Sequence, residues 1–169
     1  MKNTIKIKLF AFLVLALSFT PAFAQKPSTA LEMNNYFTSM IDSLYHKGYN
    51  WGATFSEDDS SGNYSNLVPL RKDLESTCDR FAKELATAKD IGGSTDFKNA
   101  MIEFMHFEKN LITNCFKPFE DLSPSSTLEQ KTKLQTKLQT DSKEEDQKLD
   151  KIRKIQKIYA DKNGFVIAQ

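Results

Sequence analysis

The stretch 97–122, FKNAMIEFMHFEKNLITNCFKPFEDL, decides how the rest of the chain is read. It carries Phe97, Phe104, Phe107, Phe116 and Phe119, together with one of the two cysteines and one of the two histidines. Stepping about 100° per residue from Phe104, the side chains of Phe97, Met101, Leu111, Cys115 and Phe119 all fall within about 60° of it. That is one apolar stripe along a helix. The only Glu-x-x-His spacing, Glu103 to His106, lands near 260° and 200° on the same wheel, roughly opposite the stripe. Glu108 is different, because it sits about 40° from Phe104, inside the apolar face. Pro118 lacks an amide donor, so a kink is expected near the end of this helix.

Working outward, three more segments show helical periodicity. The first is read over about 29–46: Thr29 and Glu32 form a capping box, and Ala30, Met33, Phe37, Met40 and Leu44 make its stripe. Gly48 and Gly52 are read as its end, and 48–65 as a long connection rich in aromatic, acidic and serine residues. The second spans about 67–88, with Asn66 as its cap and Leu67, Leu70, Leu74, Cys78, Phe81 and Leu85 facing inward. Gly92 and Gly93 separate it from the central segment, read as 96–122 and capped by Thr95 or Asp96. The last runs from about 127 to 163, opened by a capping box from Ser126 to Glu129. Almost no apolar residue falls between Leu138 and Leu149, so a break or bend is expected near Thr140, Asp141 and Ser142. Four amphipathic helices without strand signals imply an all-α, antiparallel up-down-up-down four-helix bundle. The tail at Phe165, Val166 and Ile167 is expected to fold back onto it.

The N-terminus reads as a signal peptide at 1–24. Lys2, Lys6 and Lys8 precede an apolar run from Leu9 to Leu17, and Ala22-Phe23-Ala24 offers small residues for cleavage. The run is too short to span a bilayer, which takes about 20 apolar residues. Removing 1–24 from the 169 residues leaves 145, a single domain at 25–169 of a size that folds without staples. The leader takes three lysines with it, leaving 20 basic against 22 acidic residues and a formal charge of −2. A chain without net positive charge is a poor partner for nucleic acid. No later apolar run has spanning length, so no transmembrane anchor is expected in the mature chain. The expected location is the periplasm, the cell surface or the outside medium.

Three pieces stand out: Ala30-Leu31-Glu32-Met33-Asn34-Asn35, Thr95-Asp96-Phe97-Lys98-Asn99-Ala100, and the end from Leu149 through Tyr159-Ala160-Asp161-Lys162-Asn163-Gly164-Phe165. With them the chain resembles a family of small exported bacterial helical proteins, first named from a Leptospira surface-protein locus and widespread in Bacteroidota. The resemblance implies an exported helical bundle and brings no assigned activity, cofactor or catalytic residue. Many relatives carry a lipoprotein cysteine, whereas no cysteine sits just after the apolar run here.

Candidate chemistry is sparse. A di-iron bundle needs two Glu-x-x-His motifs and two further glutamates; one motif is present and it faces outward, so no metal or other cofactor is expected. Cys78 and Cys115 both lie on core stripes. Their levels on neighbouring helices differ by about nine residues, roughly 13 Å of helix rise, against a limit near 7 Å between the α-carbons of a disulfide. Pairing is therefore disfavoured. Glu108, with Phe104, Phe107 and Leu111 around it, is a candidate ligand site. The plainer alternative is a carboxylate at the seam's edge that reaches water or a Lys or Arg. The basic end of the last helix (Lys148, Lys151, Arg153, Lys154 and Lys157 around Leu149, Ile152, Ile155 and Ile158) reads as a solvated face that permits peripheral membrane contact. The expectation is an exported, non-enzymatic bundle that binds an unidentified protein or envelope partner. The competing expectation is a ligand-binding or catalytic bundle built on Glu108.

Overall fold

Four long helices account for most of residues 26–167, the part of the chain described by this computed structural model. They are α1 (Ala30–Ser61), α2 (Leu67–Thr87), α3 (Thr95–Leu111) and α4 (Leu128–Asn163). Among the described residues there is no strand. The expected signal peptide lies outside the described residues.

The start of α1 is capped as expected. Thr29 Oγ1 accepts from the Glu32 amide, and Glu32 reaches back to the Thr29 amide. Its end is not where the glycines suggested. The helix passes through Gly48 and Gly52 and stops only at Gly62, which adopts a left-handed φ of 71°. A helical glycine costs about 1 kcal/mol relative to alanine. Here Trp51 and Phe55 lie on the same buried face as Phe37, Met40 and Leu44, and burying two aromatic side chains outweighs that cost. The expected connection at 48–65 therefore shrinks to 62–66. Its Tyr64 is buried and donates to Asp59 at 2.5 Å.

The caps of the other helices also differ. Asn66 precedes α2 but makes no side-chain cap; its amide nitrogen donates instead to Asp58 Oδ1 at 3.0 Å. At α3 the flanking residue is Ser94, whose hydroxyl accepts from the Ile91 amide and bonds Asp90, tying the Gly92-Gly93 turn together. The capping box of α4 is Thr127 with Gln130, one residue beyond the expected pair. The expected disturbance at Pro118 is present in a specific form. Pro118 cannot donate to the Asn114 carbonyl, and the backbone loosens into a π-turn over Ile112–Phe116 followed by a 3₁₀ turn over Lys117–Asp121. Regular α-helix thus ends at Leu111, not near Leu122.

The four stripes meet in one core. Met33, Phe37, Met40, Trp51 and Phe55 from α1, Leu67, Leu74, Cys78, Phe81 and Leu85 from α2, and Phe97, Met101, Phe104 and Met105 from α3 are all buried. Phe37 meets Phe97 edge-on at 4.9 Å, and Trp51 stacks on Phe116 at 4.2 Å. α1 and α3 each pack against α2 and α4. Polar contacts tie the helix ends to one another. Tyr36 near the start of α1 bonds Glu84 near the end of α2. Lys98 near the start of α3 bonds the Ala88 carbonyl at the end of α2. Tyr159 near the end of α4 donates to the Ala30 and Ile91 carbonyls, whereas Lys131 near its start bonds Asp59 near the end of α1.

α4 is one uninterrupted helix of 36 residues, so the expected break near Thr140 is absent. It is also the least buried helix. No residue of α4 before Ile152 is fully buried. In the tail, Phe165 folds back against Tyr159 with ring centres 5.8 Å apart, while Val166 is exposed.

Candidate functional site

The α3–α4 seam is where polar chemistry enters the core. Glu108 follows Phe104 by one turn on α3 and is only 8 % exposed. Its Oε1 has no hydrogen-bond partner among the described groups. No ion pair to a basic side chain is formed by Glu108 among the described residues, and of its two carboxyl oxygens Oε1 is the buried, unpaired one. Burial raises its pKa well above the ordinary 4.5, and the charge of Glu145 adds to the rise. Glu145 itself is pushed up to about 7, first by burial and then by the neighbouring Asp146. From α2, Cys78 completes the group: burial and then the Glu108 charge raise its thiol to about 12. Desolvation disfavours each charged form, so burial favours the protonated forms of Glu108 and Cys78.

Glu145 escaped the sequence reading, although a signal for it exists. Leu138, Ser142, Glu145, Leu149 and Ile152 follow one another at steps of four and three, so Glu145 occupies an inward-facing position of α4. A search for apolar residues passes over it.

A second polar group lies along the same seam. The Cys115 thiol, 2 % exposed, donates to Asp141 Oδ2 at 2.8 Å, and Lys137 Nζ bonds both Asp141 at 2.5 Å and the sulfur at 3.4 Å. Burial, then the bond to Asp141, raises this thiol to about 11. Asp141 is lowered, by the Cys115 bond and then by Lys137. Neither cysteine is disulfide-bonded, and a thiol held protonated is a poor nucleophile.

Beside this group the surface forms a groove of about 350 Å³ lined by Phe107, Asn110, Leu111, Asn114, Lys137, Asp141 and Glu144. Of the four residues expected at a ligand site, Phe107 and Leu111 reach the groove, while Phe104 and Glu108 lie within the core and do not line it. Lys148 Nζ sits 4.7 Å over the Phe107 ring. A second, larger hollow follows one face of α4 alone, from Leu128 to Lys137. Glu103 and His106 are exposed, and Glu103 pairs with Lys151 at 2.8 Å. Among the described residues no group of three or more His, Cys, Asp or Glu could hold a metal ion.

The basic end of α4 is laced with acids. Lys148 pairs with Glu144, Lys151 with Glu103, Arg153 with Asp150 and Lys157 with Asp161. Ile158 is the exposed apolar residue of that end, and Ile152 is buried. Among the described residues no helix is long and apolar enough to cross a membrane.

Compared with known proteins, the chain matches no family model, no curated protein and no solved structure.

Proposed function

We propose that this chain is an exported, non-enzymatic helical bundle with an up-down-up-down path, working by binding a polypeptide partner along the α3–α4 groove. The observation that carries the reading is the composition of that groove. Phe107 and Leu111 supply an apolar floor, Asn110 and Asn114 supply amides, and Lys137, Asp141 and Glu144 supply charges of both signs. Apolar floor, amides and mixed charge suit a peptide backbone and its side chains. Two carboxylates against one ammonium repel a phosphate backbone. Export rests on the leader-like N-terminus and on the family resemblance.

A photo-crosslinking amino acid at Asn114, with the full chain expressed in its native envelope, tests both parts. Protein adducts are expected from position 114 and not from exposed Lys83 on α2, in the exported fraction. Equal labelling from both positions, or retention of the chain in the cytoplasm, refutes the reading.

A second reading, a catalytic or ligand-binding bundle using Glu108, draws on the raised pKa of that carboxyl, since perturbed acids concentrate at active sites. It requires a small molecule to reach Glu108. Saturation of the Glu108 carboxyl resonance by a soluble paramagnetic probe would favour it, and complete protection would dismiss it. Peripheral membrane contact by the basic end of α4 would show as co-sedimentation with vesicles that rises with anionic lipid content.

A further inference from the structure

We infer that Glu108 and Glu145 form a proton-dependent latch, which holds α4 against α3 while the pair retains a proton and releases the N-terminal two-thirds of α4 when both carboxyls ionise. The geometry comes from three contacts between the helices. Glu103 meets Lys151, Phe107 meets Lys148 and Cys115 meets Asp141. Their order runs in opposite directions along α4 and along α3 with the π-turn that follows it, and places Glu108 within a turn of Glu145. Glu145 stands in the inward-facing row of α4, and Glu108 Oε1 is buried without a partner. With Glu108 buried and Glu145 half-buried beside it, charging both sets like charges against each other and favours their separation.

Among the described residues neither carboxyl has an ion-pair partner, and Lys148, the cation between them, is engaged by Glu144 and the Phe107 ring. On α4 the flanking charges are Lys137 with Asp141, Lys148 with Glu144, and Asp146, which adds to the repulsion. On α2, Cys78 faces Glu108, and Asp79 holds Lys109 in an ion pair at 2.7 Å. At this level α1 contributes apolar Met40 and Leu44, with Asp42 and His46 at the surface. What holds α4 here is correspondingly slight: from Leu128 to Lys151 it has no fully buried residue, whereas Ile152, Tyr159 and Ala160 anchor its end. Ionisation therefore acts on the half that can leave. Cys115 is covered by that half, through Asp141 and Lys137, so its accessibility reports the opening.

The test is alkylation of Cys115 in the full chain by iodoacetamide from pH 5 to 9, read by peptide mass spectrometry. Each rate is divided by that of the urea-unfolded chain at the same pH, which removes the intrinsic thiolate dependence. Protection of Cys115 should fall roughly tenfold or more between pH 6 and pH 8. The fall should vanish in Glu145→Gln and in Glu108→Gln, and persist in Glu144→Gln, the exposed neighbour. A flat wild-type profile overturns the latch without needing any variant to fold. The same fall in both Gln variants also overturns it. If calcium or magnesium at pH 8 restores protection fully, the pair is a cation site and the latch is wrong.

Discussion

Replacing Glu145 by glutamine should make the protein more stable at alkaline pH, and the structure sets the size of the gain. Glu145 is an acid whose value is raised on folding, from 4.5 to about 7. Between those values the folded chain binds more protons than the unfolded one, so stability falls as the pH rises. The loss is complete above pH 7. Holding the carboxyl at about 7 corresponds to about 3 kcal/mol of stability missing at pH 8. Glu108 acts in the same direction and prolongs the fall to higher pH. Below the ordinary carboxylate range the sign reverses. Asp141, lowered by its bonds to Cys115 and Lys137, contributes stability that is lost as it protonates. Wild-type stability should therefore peak in mildly acidic solution. With an m-value of about 2 kcal/mol/M, 3 kcal/mol moves a urea midpoint by about 1.5 M. Urea titrations followed by circular dichroism at pH 5, 6, 7, 8 and 9 should show the wild-type midpoint falling with pH. The Glu145→Gln midpoint should fall less steeply, keeping only the part due to buried Glu108, and cross above it near neutrality. Parallel curves for the two proteins would refute the claim that Glu145 is held protonated by the fold.

Three further outcomes follow from local geometry. Gly62→Ala should lower stability by roughly 1–2 kcal/mol, because Gly62 has a φ of 71° and an added Cβ would lie 2.8 Å from Pro124 Cγ; an unchanged thermal midpoint would contradict this end for α1. Arg71 is buried between Glu120 and Glu75, so Arg71→Ala should cost about 3 kcal/mol or more by leaving Glu120 unpaired, measured by urea unfolding at neutral pH, where a loss below 1 kcal/mol would count against a buried network. Tyr159→Phe deletes a hydroxyl that donates to both the Ala30 and Ile91 carbonyls; it should cost about 1–2 kcal/mol and speed amide exchange at the start of α1, and no change in exchange there would deny the link between α4 and α1.

How far the fold could be read from residues is clearest in α3. The wheel placed Phe97, Met101, Phe104, Leu111, Cys115 and Phe119 inside and Glu103 and His106 outside, and the structure has them so. A dense aromatic stripe leaves little room for another orientation. The errors arise where local signals opposed a longer pattern. Gly48, Gly52 and the acidic serine-rich stretch after them resemble a loop, yet Trp51 and Phe55 continue the row of Phe37, Met40 and Leu44. Tertiary burial overrode composition. In α4 the missing apolar residues suggested a break. The helix instead keeps its course, and its inward polar residues meet polar partners across the seam, as Asp141 meets Cys115 in the π-turn after α3. The candidate site was half legible for the same reason. Glu108 announced itself as a carboxyl within an apolar row, but its opposite number lies in a stretch with no apolar row to interrupt. Only the register between the two helices joins them.

The latch requires a pair of carboxyls that the α3–α4 seam keeps from ionising together. The most direct measurement is a carbon-13 NMR titration of the glutamate side-chain carboxyls in the folded chain, assigned through Glu108→Gln and Glu145→Gln. Glu145 should titrate near 7 and Glu108 well above 4.5, while Glu103 at the exposed face of α3 titrates below its ordinary value through its bond to Lys151. If Glu108 and Glu145 instead both titrate between about 4 and 5, as free glutamates do, the seam holds no protonated pair and the latch is excluded.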